Sequence, residues 1–125
     1  METLAILGIE RYASTPASLL PVAAKKRLMI ATALATDPHV LLLDEPFGGL
    51  GAHDVDDTVG LIKRIRDTGM AIVVIEHMMR ALVALADRVL VMHHGAELFL
   101  GTPEAMLADK RVIEVYLGAR GGGAA

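Results

Sequence analysis

The 125-residue chain contains no cysteine and no tryptophan. No disulfide can form and no thiolate can hold a metal, which agrees with a reducing compartment. Aromatic residues are 3% of the total, so any core has to be packed from aliphatic side chains and methionine. A basic excess is also missing: 12 Lys and Arg stand against 15 Asp and Glu, for a net charge of -3 with neutral histidines. Bulk electrostatics therefore give no reason to expect a nucleic-acid partner. Charges or prolines break every apolar run before it is long enough to span a bilayer. The N-terminus, Met1-Glu2-Thr3-Leu4, has no basic n-region, so a signal peptide is not expected. What is present is a hydrophobic content of 54%, enough for a substantial core, on a length that fits one small domain or a piece of a larger one.

The pattern along the chain alternates strand and helix. Leu4, Leu7 and Ile9 predict a short amphipathic helix ending near Gly8, and breakers between Arg11 and Pro21 predict a loop. Ala24 to Ala35 reads as a helix with Leu28, Ala31, Leu34 and Ala35 on its apolar face, stopped by Asp37-Pro38. Val40 to Leu43 reads as a fully buried strand, and Phe47-Gly48-Gly49-Leu50-Gly51 as a flexible loop. A second helix follows over Val55 to Arg66, with Val55, Val59, Ile62 and Ile65 inward and Gly69 as its cap. Ala71 to Ile75 is a second buried strand, Met78 to Ala86 a helix, and Val89 to Met92 a third strand with Glu97 to Leu100 as its hairpin partner. Thr102 can cap a helix that has Pro103 in its first position, and Lys110 to Leu117 forms another short helix. Strands alternating with helices argue for an α/β fold with a parallel sheet and covering helices.

The segment with most chemical content is His39-Val40-Leu41-Leu42-Leu43-Asp44-Glu45-Pro46. Apolar residues run straight into two adjacent carboxylates, and open α/β sheets place ligands beyond the C-terminal ends of their strands. Two acids there suit Mg-nucleotide chemistry, one holding the metal and the next polarising a water. A buried strand ending in a solvated acidic turn fits the octamer equally well. The second strand delivers Glu76-His77 in the same way, and a histidine at such a junction can also be a simple cap. Lys25-Lys26-Arg27 reads as a solvated helix start, His93-His94 as a surface turn, and Met78-Met79 as core packing.

Taken in order, Leu-Leu-Leu-Asp44-Glu45-Pro46, the glycine-rich segment Gly48 to Gly51, and Val-Ile-Glu76-His77 closely resemble the C-terminal half of an ATP-binding-cassette (ABC) ATPase. The resemblance covers Leu4 to Gly118. It makes Asp44-Glu45 the Walker B pair, Phe47 to Ala52 the D-loop and His77 the switch histidine. Gly101-Thr102-Pro103-Glu104 and Val112-Ile113-Glu114-Val115-Tyr116-Leu117-Gly118 resemble the C-terminal extension of branched-chain amino acid importers. The fold implied is a partial P-loop NTPase-type sheet with covering helices and a C-terminal β-hairpin. The cofactors implied are ATP and Mg²⁺. Asp44 would hold Mg²⁺ through water, Glu45 would orient the attacking water, and His77 would contact the γ-phosphate. Leu20, Pro21 and Ala23 of the signature segment, with Gly48, Gly49, Leu50 and Gly51, would line the nucleotide shared with a partner.

Several residues depart from the family's pattern. Nowhere does the chain read G-x-x-x-x-G-K-S/T, the loop that cradles phosphates with backbone N–H groups and a lysine. The aromatic base-stacking loop and the Q-loop are missing too. The signature reads Leu20-Pro21-Val22-Ala23-Ala24 instead of a Gly-Gln ending, and Ala23 adds a Cβ where backbone has to approach nucleotide. Met29 and Thr32 stand where Glu and Arg are usual, Gly51 replaces Asp or Asn, and Ala52 replaces Pro. The family's P-loop strand lies between the strand ending at His77 and the strand Val89–Met92, so a collapsed sheet or exposed strand edges are expected.

By this resemblance, residues 1–23 are the end of a helical subdomain and a degenerate signature segment. Residues 24–100 are the Walker B, D-loop and H-loop part of the ATPase core, 101–118 the branched-chain-type extension, and 119–125 a disordered tail. The function implied is the energy-coupling subunit of an ABC importer for branched-chain amino acids, present as an incomplete C-terminal part and inactive by itself. Its partners would be a cassette ATPase or a missing N-terminal half, and transmembrane permease subunits, on the cytoplasmic face of the membrane. No nucleic acid and no disulfide partner is expected. The alternative is a non-catalytic accessory half that docks on a complete cassette. A DNA-repair or ribosome-associated cassette is disfavoured by the charge and by the Gly101–Gly118 segment.

Overall fold

A computed structural model describes residues 2–118; the tail expected over 119–125 lies outside them. The chain forms two compact units that divide between Ala81 and Leu82.

In the first unit, α1 (Glu2–Ile6) ends at Gly8, whose φ of 64° lets its N–H reach Ala5 O while Ile9 N–H reaches Leu4 O. The stretch expected to be a plain loop carries two short 3₁₀ turns, Glu10–Tyr12 and Ala17–Leu19. Helix α2 (Val22–Leu34) starts two residues ahead of expectation, with Pro21 at its N-cap position. It buries Ala24, Ile30 and Ala31, while Ala35 is exposed. The basic run on α2 is more than a solvated helix start. Lys26 Nζ donates to Glu45 O at 3.2 Å. Arg27 donates to Leu7 O at 3.3 Å and lies 3.7 Å from Asp57.

Strand β1 (Val40–Asp44), helix α3 (Ala52–Asp67) and strand β2 (Ala71–Ile75) make a βαβ unit. The strands pair in parallel, Val40 opposite Ala71 through Asp44 opposite Ile75. All four residues expected inward on α3 are buried, with Thr58 and Leu61 beside them. The helix ends at Gly69, where a φ of 95° lets the N–H bond Arg66 O.

Neither strand is fully buried. In β1, Leu41 and Leu43 are buried and Val40, Leu42 and Asp44 are not. In β2, Ile72 and Val74 are half-buried, while Ala71, Val73 and Ile75 are exposed. Side chains alternate across a strand, so one face of this two-stranded sheet is open. The expected three-stranded parallel order is not formed. Among the described residues β2 has no second neighbour, and β3 belongs to a separate sheet.

Helix α4 (Met79–Leu85) spans the division between the units. In the second unit, β3 (Val89–His93) and β4 (Ala96–Gly101) form an antiparallel hairpin with a bulge at Val91/Met92. His93 and His94 are exposed at its turn, as expected. Thr102 Oγ1 accepts from Ala105 N–H and caps α5 (Pro103–Ala108). Asp109 in turn caps α6 (Lys110–Val112), which continues as a π-helical turn, Ile113–Leu117. Met106 and Val112 are fully buried. The Tyr116 hydroxyl donates to Met92 O.

Candidate functional site

The ends of β1 and β2 bring Asp44, Glu45, Glu76 and His77 together, because the parallel register puts Asp44 opposite Ile75. Glu45 N–H donates to Ile75 O at 2.8 Å, which extends the ladder one step past the strand. There the chain turns: Glu45 has a φ of 46°, a left-handed conformation uncommon outside glycine. Its carbonyl accepts from Gly48 N–H at 3.2 Å and from Lys26 Nζ. Both backbone groups of Glu45 are thus engaged, and its side chain stands out, 60% exposed.

Glu45 Oε1 lies 3.7 Å from His77 Nδ1. The two carry opposite charge only when the imidazole is protonated. The His77 ring is open to solvent, and Asp44, opposite Ile75 in the register, is exposed. Nearby, Glu76 has its side chain 1% exposed. Its Oε1 accepts from Phe47 N–H at 3.1 Å, and its Oε2 from His77 N–H at 3.0 Å and Met78 N–H at 3.3 Å. Further along, Arg80 at the start of α4 donates to Asp56 of α3.

The segment expected to be a flexible loop is a tight turn. Gly48 N–H bonds Glu45 O and Leu50 N–H bonds Phe47 O, and the Phe47 side chain is buried. Gly49 has a φ of 79°, and a Cβ on it would lie 3.6 Å from Val22 Cγ1 at the start of α2. Gly51 precedes α3 and its carbonyl accepts from Val55 N–H. Of the signature residues, Leu20 is buried, Pro21 exposed and Ala23 half-buried. Ala24 is buried.

A shallow groove of about 230 Å³ lies between α2 and the end of β1, lined by Met29, Ile30, Ala33, Leu42, Asp44 and Pro46 with Lys26 at its side. It is mostly apolar and is no phosphate cradle. Among the described residues no group of three acidic, histidine or cysteine side chains could enclose a metal ion. Asp44 and Glu45 offer adjacent exposed carboxylates, the donor type that Mg²⁺ takes one or two of beside waters and phosphate oxygens. No helix among the described residues is long and apolar enough to cross a membrane.

Glu76 and Lys26 were without a role in the sequence. Glu76 gave only a weak signal: it shares strand parity with Ile72 and Val74, but the unbroken apolar run of β2 does not tell which parity is covered. Lys26 gave none, because its partner is a backbone carbonyl 19 residues away.

A model of the branched-chain amino acid ATP-binding cassette transporter family matches residues 98–121. Over 113 residues the chain is 34% identical to the high-affinity branched-chain amino acid transport ATP-binding protein BraF of Pseudomonas aeruginosa, covering 90% of this chain and 44% of BraF. It is 37% identical over 94 residues to the lipopolysaccharide export system ATP-binding protein LptB of Escherichia coli, covering 75% of this chain and 39% of LptB. Among solved structures, the ADP conformation of MJ1267, an ATP-binding cassette of an ABC transporter, superposes with a TM-score of 0.86 at 25% identity, over 94% of this chain and 48% of that one. The chain thus spans less than half the length of the curated relatives it matches. In sequence and in fold it resembles the C-terminal part of an ABC ATPase subunit, with the partial α/β sheet expected of one.

Proposed function

We propose that this C-terminal cassette segment acts in the ATP-binding, energy-coupling subunit of an ABC importer, and that its solute is a branched-chain amino acid. The observation that carries the ATPase reading is the cluster at two adjacent strand ends, with the Glu45 carboxylate 3.7 Å from the His77 imidazole and Asp44 beside them. The match to the branched-chain family over residues 98–121 supports the solute class.

On this reading Asp44 would hold Mg²⁺, which would supply charge neutralisation to the nucleotide phosphates. The Glu45 carboxylate orients the attacking water and accepts its proton. His77 contacts the γ-phosphate and holds the geometry of the transition state, where preorganised charge does most of the work. Gly48, Gly49, Leu50 and Gly51, with Leu20, Pro21 and Ala23, line the nucleotide shared with a partner cassette. The functional segments on this reading are residues 1–23, 24–100 and 101–118. The phosphate cradle comes from another polypeptide or from an N-terminal half, and the assembly works on the cytoplasmic face of the membrane with permease subunits.

Mg-ATP binding to the purified chain tests this, alone and mixed with a P-loop-bearing cassette half. The chain alone is expected to bind ATP too weakly to detect. The mixture is expected to hydrolyse ATP and to lose that activity in Glu45→Gln. Hydrolysis indifferent to Glu45→Gln would sink the reading. So would clear binding by the chain alone that Asp44→Ala abolishes, since it would mean a phosphate site of another kind.

A second reading has its own support. Ala23 and Ala24 stand in place of Gly and Gln, and Ala24 is buried. A non-catalytic half that docks on a complete cassette would tolerate both. Such a half would co-purify with a P-loop-bearing chain without raising its ATPase rate.

A further inference from the structure

We infer that Glu76 is a positioning residue that ties the turn after β1 to the turn after β2, and so fixes the distance between Glu45 and His77. The functional importance of that distance rests on the reading above; the tie itself does not. The Glu76 side chain is 1% exposed. A buried carboxylate has to be matched by donors, and here the donors come from two separate places in the chain. Oε1 takes Phe47 N–H, two residues beyond Glu45. Oε2 takes His77 N–H and Met78 N–H. Hydrogen bonds to a charged acceptor are the strong kind.

A carboxylate is suited to this because it presents two acceptor oxygens. A cap for α4 alone would need only the His77 and Met78 contacts. The Phe47 contact spans 29 residues and reaches the segment that follows the left-handed Glu45. With Glu45 N–H on Ile75 O and Phe47 N–H on Glu76, the turn carrying Glu45 is fastened to β2 at both sides of Pro46.

A protected Phe47 amide in the wild-type chain separates a tie from a cap, and the isosteric change Glu76→Gln breaks one side of the tie, because an amide has one acceptor oxygen and an NH₂ that repels the remaining N–H donors. In Glu76→Gln of the full chain, with an unchanged far-ultraviolet circular dichroism spectrum, amide exchange at Phe47, or at His77 and Met78, is expected to rise about tenfold or more. Leu42 and Val73 amides in the strands are expected to keep wild-type rates. A second readout follows the His77 ring. Glu45→Gln is expected to shift its nitrogen resonances in the wild-type background and to shift them less in Glu76→Gln.

Exchange unchanged at all three amides, exchange rising equally along β1 and β2, or the same His77 response in both backgrounds would each overturn the inference. Should Glu76→Gln fail to fold, the wild-type chain still decides, since a Phe47 amide exchanging at the unstructured rate overturns the tie without any variant. None of these readouts needs nucleotide. A chain that never meets ATP leaves them standing, and an ATP-competent assembly with an unprotected Phe47 amide overturns this inference alone.

Discussion

Leu41 and Leu43 on one face of β1 are 2% and 8% exposed, while Leu42 between them is 72% exposed. Across the pair, Val73 and Ile75 lie on the open face with Leu42, at 51% and 62%. The two faces have nearly the same composition and opposite surroundings. An apolar residue on the covered face stabilises this chain; one on the open face stabilises only an assembly that covers it. Parallel sheets are ordinarily covered on both sides, and here the described residues cover one.

The largest expected effect falls on the covered face. Leu41→Ala removes a fully buried side chain and leaves a cavity, at a cost of about 2–5 kcal/mol, read as a lower urea midpoint. Leu42→Ala is expected to stay within about 0.5 kcal/mol of the wild type. A cost for Leu42→Ala as large as that for Leu41→Ala would break the comparison, because it would mean that self-association covers the open face in solution. Sedimentation at several concentrations decides this directly. The exposed apolar face and the free β2 edge predict concentration-dependent association, and Leu42→Lys combined with Val73→Lys is expected to abolish it.

Two smaller changes in the second unit sharpen the contrast by leaving both faces alone. Thr102→Ala removes the cap of α5 and is expected to cost about 1 kcal/mol, with amide exchange rising at Ala105 while Leu41 keeps its protection. The smallest effect is one of pH. The Asp109 carboxyl is lowered to about 2, first by its side-chain hydrogen bond with Arg111 and then by the Arg111 and Val112 N–H groups it accepts from. A depressed carboxyl is fully stabilising above its ordinary value and loses that contribution as pH falls toward its folded value. Arg111 and Val112 amides are therefore expected to lose protection between about pH 4 and pH 2, a change followed by exchange or chemical shift. Asp109→Asn is expected to remove the pH dependence.

Much of the architecture was legible in the sequence. The three strands that the pattern picks out match β1, β2 and β3 to within a residue, and the inward stripe of α3 is right at every position named. Thr102 and Gly69 act as their chemistry dictates. The burial of the strands was not legible, because Val40-Leu41-Leu42-Leu43 has no alternation to tell a covered face from an open one. The pattern of such a run is set by the complete sheet, so it overstates what half a sheet can bury. The meeting of Asp44, Glu45 and His77 followed from two strand ends in one parallel register. Glu76 was hidden for a different reason: charge reads as exposure in a sequence, and only its three backbone donors explain why it lies inside.

The left-handed backbone at Glu45 bears on how this gene drifts. With a φ of 46°, the position carries a conformational cost on the order of 1 kcal/mol for a side chain that is neither glycine nor asparagine. Folding alone would choose glycine there. In a lineage released from any demand for a carboxylate at this spot, glycine, asparagine or aspartate at position 45 is the expected early replacement. On the proposed role of Glu45, natural variants at this codon keep glutamate where the site works and drift to glycine or asparagine where it does not.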